Sequence, residues 1–501
     1  MLGTSAPGGI VARGFGWRHA GRKLPALVDV TLEIQPGEKV LLVGESGAGK
    51  STLLAAFAGV LGGAEDGDFM GELSVCGVDA RDAESLRGKV GMLLQDPDSQ
   101  VIASKVGDDV AFGCENLGIP REEIWHRVQH SLAAVGLDVP LDHPTSELSG
   151  GQKQRLALAG ILAMQPEVIV LDEPTANIDP AGVTELVSAV REAVEHTGAT
   201  LIVVEHRIDV WSSVADRVIV LEAKGAVRCD GALDYILADA ANELAQDGIW
   251  VPEHLLPAEQ QLQSLTRALP RAAAADLTAV QLVSGWTAAR PVGPARTLDI
   301  PHAVSTVITG RNGAGKSTLA LTLAGLLDPL SGSVAASDDI RAGLSASPHR
   351  WTSKQLAQRI GFVFQDPEHQ FLAGTVRDEL VIAAAHAQRR HAWGSWRSSV
   401  TAQLSSRADD LLARLRLEHL AAASPFSLSG GQKRRLSVAT ALMMQPQVLF
   451  LDEPTFGQDR RTFIEIVRLL QQLRDEGTTL VSISHDPTFV QLLGENQVEL
   501  V

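Results

Sequence analysis

Cysteine is scarce. Only Cys76, Cys114 and Cys229 occur in 501 residues, and no two form a CxxC pair. That excludes a disulfide framework and leaves free thiols in a reducing compartment as the expectation. Long hydrophobic runs are missing too. No window approaches the roughly 18 continuous apolar residues that a membrane-spanning helix needs. The longest runs, such as "VIVL" at 168–171, are strand-sized. Any service to a membrane must therefore pass through a partner. Positive charge is in deficit, with 43 Lys and Arg against 60 Asp and Glu, a net charge of −17. A dominant nucleic-acid surface is not expected, although a local basic patch is compatible with this balance. The opening "MLGTSAPGGIVARGFGW" lacks a basic start followed by an apolar run, so no signal peptide is expected.

What is present points the other way. Hydrophobic residues make up 45%, the level of a globular chain, and 46 glycines favour tight loops. A chain of this length requires two or more domains. The sequence is in fact written twice. "GESGAGKSTL" at 44–53 returns as "GRNGAGKSTL" at 310–319, and "LSGGQKQRLALA" at 148–159 as "LSGGQKRRLSVA" at 428–439. "VIVLDEPT" at 168–175 returns as "VLFLDEPT" at 448–455, and "VVEHR" at 203–207 aligns with "SISHD" at 482–486. The order is the same in both halves, so this is a tandem duplication of a whole domain. We expect domains at 1–255 and 276–501, with a Pro-, Gln- and Ala-rich linker at 256–275. The second half is expected to lack the tail at 216–255.

"KVLLVGESGAGKSTLLAAFAG" reads as a buried strand, a Gly-rich turn and a helix, which is the context that G-x-x-x-x-G-K-[ST] requires. Glycines let backbone N–H groups close on phosphate oxygens, and the helix N-terminus adds its positive end. The first loop comprises Gly44, Glu45, Ser46, Gly47, Ala48, Gly49, Lys50, Ser51 and Thr52. The second comprises Gly310, Arg311, Asn312, Gly313, Ala314, Gly315, Lys316, Ser317 and Thr318. Lys50 and Lys316 should reach the β/γ-phosphates of ATP, and Ser51 and Ser317 should ligate Mg²⁺. Asp172 and Asp452 end apolar strands and should hold the same ion. Glu173 and Glu453 are placed to polarise the attacking water.

"LSGGQ" before a helix, between such a loop and "LDEPT", resembles the signature of ATP-binding-cassette (ABC) ATPases. The resemblance spans nearly the whole chain in two copies. It implies an α/β fold of two tandem P-loop NTPase domains, each a RecA-like core with an α-helical signature subdomain. It implies that Ser149, Gly150, Gly151 and Gln152 complete the ATP site on Lys316. Ser429, Gly430, Gly431 and Gln432 would complete the site on Lys50, in a head-to-tail pair within one chain. His206 and His485 fall at the switch-histidine position. Asp179 and Asp459 close the loops after "DEPT", although "PTFGQD" departs from the family's small-residue pattern. Trp17 and Trp286 stand where the family stacks an aromatic ring on adenine, and plain surface packing is the alternative for both. Gln95 and Gln365 occupy the Q-loop, where this residue contacts Mg²⁺ or the attacking water. Both halves keep the full residue set, so two hydrolytic sites are expected.

"QDPDSQ" at 95–100 and "QDPEHQ" at 365–370 resemble, more narrowly, energy-coupling-factor (ECF) and cobalt-type importer ATPases. "KVGDDVAFG" at 105–113 strengthens that likeness, and "TVRDELVIAA" at 375–384 repeats it more weakly. This subfamily implies a transmembrane coupling protein and a small substrate-binding membrane protein on other chains. A vitamin, vitamin precursor or metal cation would be the cargo, and the cytoplasmic face of the membrane the location. The same segment can cap a short helix through Asp96 or Asp98, with Pro at its first turn. Val101 with Ile102, or Phe371 with Leu372, would give the partner apolar contact. Two other readings compete: a ribose-type sugar-importer ATPase, and a soluble translation or repair ATPase of the same superfamily. The basic, Trp-containing run at 386–400 suggests either RNA or lipid headgroups, or a solvated insertion in the helical subdomain.

Overall fold

The computed structural model describes residues 8–45, 47–63, 65–95, 97–175, 178, 180–265, 274–287, 290–311, 313–388 and 400–500. Ser46, Asp96, Asp179 and Asn312 lie outside the described residues, as does most of the 386–400 run. The chain divides into two compact units, residues 1–258 with 459–461, and residues 259–458 with 462–501.

In the first unit a six-stranded sheet runs in the order Val227–Ala232, Arg217–Leu221, Lys39–Gly44, Thr200–Val204, Val168–Asp172 and Val90–Leu93. All neighbours are parallel except the first pair. Val168–Asp172 and Thr200–Val204 are buried at every residue. Continuous apolar runs of this kind belong to parallel strands covered on both faces. One face carries the signature helix Gly150–Met164 with helices Val106–Asn116 and Arg121–Ala134, joined in one core through Val110, Val128, Leu156 and Leu171. The other face packs Leu42, Val170 and Ile202 against Phe57, Trp17 and Leu27. These last two belong to an antiparallel sheet ordered Leu27–Ile34, Ile10–His19, Gly67–Val75 and Val78–Asp79.

The second unit repeats the plan. Five parallel strands run Ile360–Val363, Val448–Asp452, Thr479–Ile483, Ser305–Gly310 and Asn496–Leu500. An antiparallel sheet of Arg290–Pro301, Ala275–Thr287 and Ser331–Ala336 lies beside them in sequence. Asn496–Leu500 pairs with the loop-bearing strand as Arg217–Leu221 does in the first unit. The correspondence between the halves therefore runs to 221, so the stretch expected to be special to the first half cannot begin at 216. Part of the stretch read as linker is also ordered: Leu262–Leu265 forms a short turn, and its Leu265 carbonyl accepts from Gln471 at 2.9 Å. Among the described residues no helix is long and apolar enough to cross a membrane.

Candidate active sites

Each phosphate loop leaves the C-terminal end of a buried strand and enters a helix, Lys50–Phe57 or Lys316–Leu323. The residue before each helix is a glycine in the left-handed region, Gly49 at φ 96° and Gly315 at φ 89°. A side chain at Gly49 would also meet Leu27 at 2.7 Å, so both conformation and space demand glycine. Lys50 folds over its loop. Its Nζ donates to Gly44 O at 2.8 Å and Glu45 O at 3.0 Å. Lys316 does the same to Gly310 O at 2.8 Å and Arg311 O at 3.1 Å. Burial pulls the Lys50 ammonium below its ordinary value, opposed by the Glu173 and Asp172 carboxylates. A buried cation at a helix N-terminus suits an anionic phosphate.

Asp172 and Asp452 stand at the ends of their strands, each hydrogen-bonded to the serine after the lysine, Ser51 or Ser317. Burial raises both carboxyls, against the pull of those serines and of the neighbouring lysines. A hydroxyl and a carboxylate are hard oxygen donors, and an ion there would relieve the burial of the carboxylate, so the pair fits Mg²⁺.

The next residue is strained in both copies. Glu173 has φ 48° and Glu453 φ 49°. A non-glycine residue held in this region at the same position twice is the kind of strain found at working sites. Glu173 is met from two sides. His206 Nε2 stands 3.1 Å from one carboxylate oxygen, and Gln95 Nε2 donates to the other at 2.6 Å. Burial pushes the Glu173 carboxyl up, but the bond and charge of His206, with Lys50 and Gln95, outweigh it and hold it below the ordinary value. Glu453 lies 2.8 Å from His485 Nδ1. Burial acts to lower His485, yet that contact holds the imidazole above its usual value. Phe456 packs edge-on against the same ring at 5.9 Å, which gives the unusual "PTFGQD" loop a local job.

The two Q-loops are held differently. In the second unit the buried Arg434 of the signature helix reaches under the loop. It donates to Phe364 O at 2.9 Å and Gln365 O at 2.6 Å. Burial brings its guanidinium down to about 10, opposed by Asp452 and Glu453. The matching residue in the first unit is Gln154, fully buried, with neither amide atom hydrogen-bonded among the described residues. An unpaired buried amide costs about 1–3 kcal/mol. Gln154→Met should therefore leave the thermal midpoint unchanged or raise it. A loss above about 1 kcal/mol would show that the amide has a partner.

The second Gln of each "QDP" segment, whose role sequence reasoning left unassigned, staples the loop to the edge strand. Gln100 accepts from Leu94 N–H at 2.8 Å and donates to Met92 O at 3.0 Å. Gln370 donates to Phe362 O at 3.1 Å and accepts from Ser437. Its recurrence at the same offset in both copies was the available signal. Asp366 caps the short helix Pro367–Gln370 by accepting from Glu368 N–H at 2.9 Å. Just beyond, an acidic side chain gathers two N–H groups in each unit. Asp109 holds Ile102 and Ala103, both at 2.7 Å. Glu379 holds Leu372 and Ala373 at 2.8 and 2.6 Å. These turns present Ile102 and Leu372 outward, 63% and 79% exposed. Phe371, expected to share that outward role, is instead buried against Phe426.

Ser149 and Ser429 cap the signature helices. Gln152 and Gln432 close each cap by accepting from the serine N–H at 2.9 and 3.0 Å. Each glutamine thus spends its side-chain oxygen on the cap. Among the described residues no hydrogen bond joins either signature to the phosphate loop of its own unit. Trp17 does not fit adenine stacking. It is 1% exposed, packed in the core with its Nε1 donating to His19 at 3.1 Å, so neither ring face is free. Trp286 is 70% exposed and keeps an open face.

A sequence profile described as "ABC transporter" matches residues 27–176 and 295–456. YkoD of Bacillus subtilis (strain 168) carries the provisional name HMP/thiamine import ATP-binding protein. It is 36% identical over 95% of this chain and 87% of its own length. A provisionally named ABC transporter ATP-binding protein of Streptomyces coelicolor is 32% identical over 93% of this chain and 88% of its own. An archaeal ribosome recycling factor, aABCE1, solved with the stalk protein aP1, superposes with a TM-score of 0.63 over 97% of this chain and 87% of its own. At 18% identity that likeness concerns the fold alone. Two matched segments, each with a lysine-closed phosphate loop, a strained glutamate and a capped signature, make this chain an ATPase that belongs to the ABC transporter family.

Proposed function

We propose that the chain is the energising subunit of an ECF-type importer for a vitamin, vitamin precursor or metal cation, and that both of its sites hydrolyse ATP. The carrying observation is the matched pair of outward turns at Ile102 and Leu372, each beside a Q-loop and held by its own carboxylate. An apolar side chain kept in water by dedicated hydrogen bonds suits a groove that receives a partner's helix. The import function in the name of the Bacillus relative supports the same reading.

In each site Lys50 or Lys316 would exchange its loop carbonyls for the β/γ-phosphates. Ser51 with Asp172, and Ser317 with Asp452, would hold Mg²⁺, aided by Gln95 and Gln365, and the ion would neutralise phosphate charge. Glu173 and Glu453 accept a hydrogen bond from the attacking water, oriented by His206 and His485. Ser149 to Gln152, and Ser429 to Gln432, would cap the nucleotide bound to the other cassette, mainly through backbone N–H groups and the serine hydroxyl. Closing on ATP and reopening after hydrolysis would move the Q-loops, and with them the docked partner.

Cysteines introduced at Ser99 and His369, both exposed beside these turns, test the docking. Crosslinking in native membranes should yield adducts with one integral membrane protein from both positions. Absence of any membrane adduct, or adducts with a ribosomal protein, would sink the importer reading.

A further inference from the structure

The segment that follows strand Arg217–Leu221 in the first cassette returns to its active site. After helix Leu233–Gln246 the chain runs through Ile249, Trp250 and Val251 beside the switch-histidine loop. Trp250 N–H donates to His206 O at 2.8 Å, and Ile208 N–H donates to Trp250 O at 3.0 Å. Together they form a parallel bridge across Arg207. The Arg207 guanidinium lies over the Trp250 indole, 5.1 Å from the ring centroid. Ile249 and Val251 are buried in the same core as Ile208, so packing backs the bridge.

A second anchor comes from Glu205. It is buried, and its carboxylate accepts from the Thr175 hydroxyl at 2.5 Å and from His206 N–H at 3.1 Å. The His206 backbone is thus held at both its N–H and its carbonyl. Its ring faces Glu173, the residue that follows Asp172 in the strained turn.

The second site cannot build this arrangement. Pro487 stands where the first site has Ile208, and proline has no N–H to donate. Ser484 replaces Glu205, and its hydroxyl accepts instead from Asp486 N–H at 3.2 Å. His485 keeps Glu453 and Phe456 as neighbours.

We propose that Trp250 and Glu205 are positioning residues that brace the His206 loop, and that this brace makes the first site the faster of the two. The physical reason is preorganisation. A histidine already fixed against its glutamate needs less rearrangement when charge develops on the phosphate. The inference rests on the reading that both sites hydrolyse ATP.

Two single-site backgrounds of the full chain provide the test. Glu453→Gln leaves only the first site hydrolytic, and Glu173→Gln only the second. Trp250→Ala should lower kcat by about ten- to a hundred-fold in the first background, with little change in KM for ATP. It should leave the second background unchanged, which also reports that the protein is folded. Trp250→Phe keeps the backbone bridge and a ring under Arg207, and should restore most of the rate. Loss in both backgrounds alike, or in neither, overturns the brace. If Glu453→Gln alone is inactive, the two-site reading fails, and amide exchange still decides the brace. Ile208 and Trp250 amides should exchange slowly, and at least about ten-fold faster after Trp250→Ala. Fast exchange in the unsubstituted protein would overturn it.

Discussion

Glu173→Gln and Glu453→Gln each lower ATP turnover, and the double substitution lowers it by at least about a hundred-fold, the contribution of a positioned general base. The expectation rests on geometry shared by the two sites. Both glutamates sit in the left-handed region, at φ 48° and 49°, directly after a buried aspartate. Both face a histidine within 3.1 Å. Glutamine keeps the size and the strained turn but cannot take a proton. The loss should therefore fall on kcat, with ATP affinity maintained. Steady-state ATPase assays on the two single variants check this. One variant with full turnover beside one with none would falsify the two-site reading.

Arg434→Gln should destabilise the second cassette by about 1–3 kcal/mol. The native guanidinium satisfies Phe364 O and Gln365 O from beneath the Q-loop, and glutamine is too short to reach both. Two part-buried carbonyls then lose their charged donor, each at up to about 1–3 kcal/mol. Kinetics should move too, because the loop that aims Gln365 loses its floor. In the Glu173→Gln background, turnover at the second site should fall about ten-fold or more. Urea unfolding monitored alongside ATPase rate measures both effects. An unchanged unfolding midpoint would show that the strut carries no load. The swap is informative because the first cassette natively has glutamine at this place, Gln154, whose side chain finds no hydrogen bond among the described residues.

Importer docking, the Gln154 amide and the Trp250 brace concern the same theme: two cassettes built on one plan but wired differently. Much of that plan was legible in the chain. Glycine at 49 and 315, lysine at 50 and 316, and the aspartate–glutamate pairs recur at matched spacing, because phosphate geometry tolerates few substitutes. Apolar runs such as "VIVLD" announced buried parallel strands, since covering both faces of a strand leaves no polar positions. Trp17 misled for the opposite reason. An aromatic near a nucleotide loop has the same letter whether it faces a base or a core, and only its neighbours Phe15, Leu27 and Phe57 decide. Phe371 and Leu372 are adjacent letters of like character, yet one is buried and one exposed.

The sequence by itself determined the chemistry of this protein: two ATPase cassettes, their order, and the residues that gather at each phosphate loop. Local motifs carry that information because each needs particular residue types at short, fixed separations. Only the tertiary structure decided how the motifs are held. The Arg434 strut spans 69 residues to Gln365, and the Thr479 side chain reaches Asp276 across 203. Trp250 meets His206 from a tail that shares no motif with it. Such contacts depend on where the sheet and its flanking helices place distant backbone atoms, and no spacing along the chain encodes that distance.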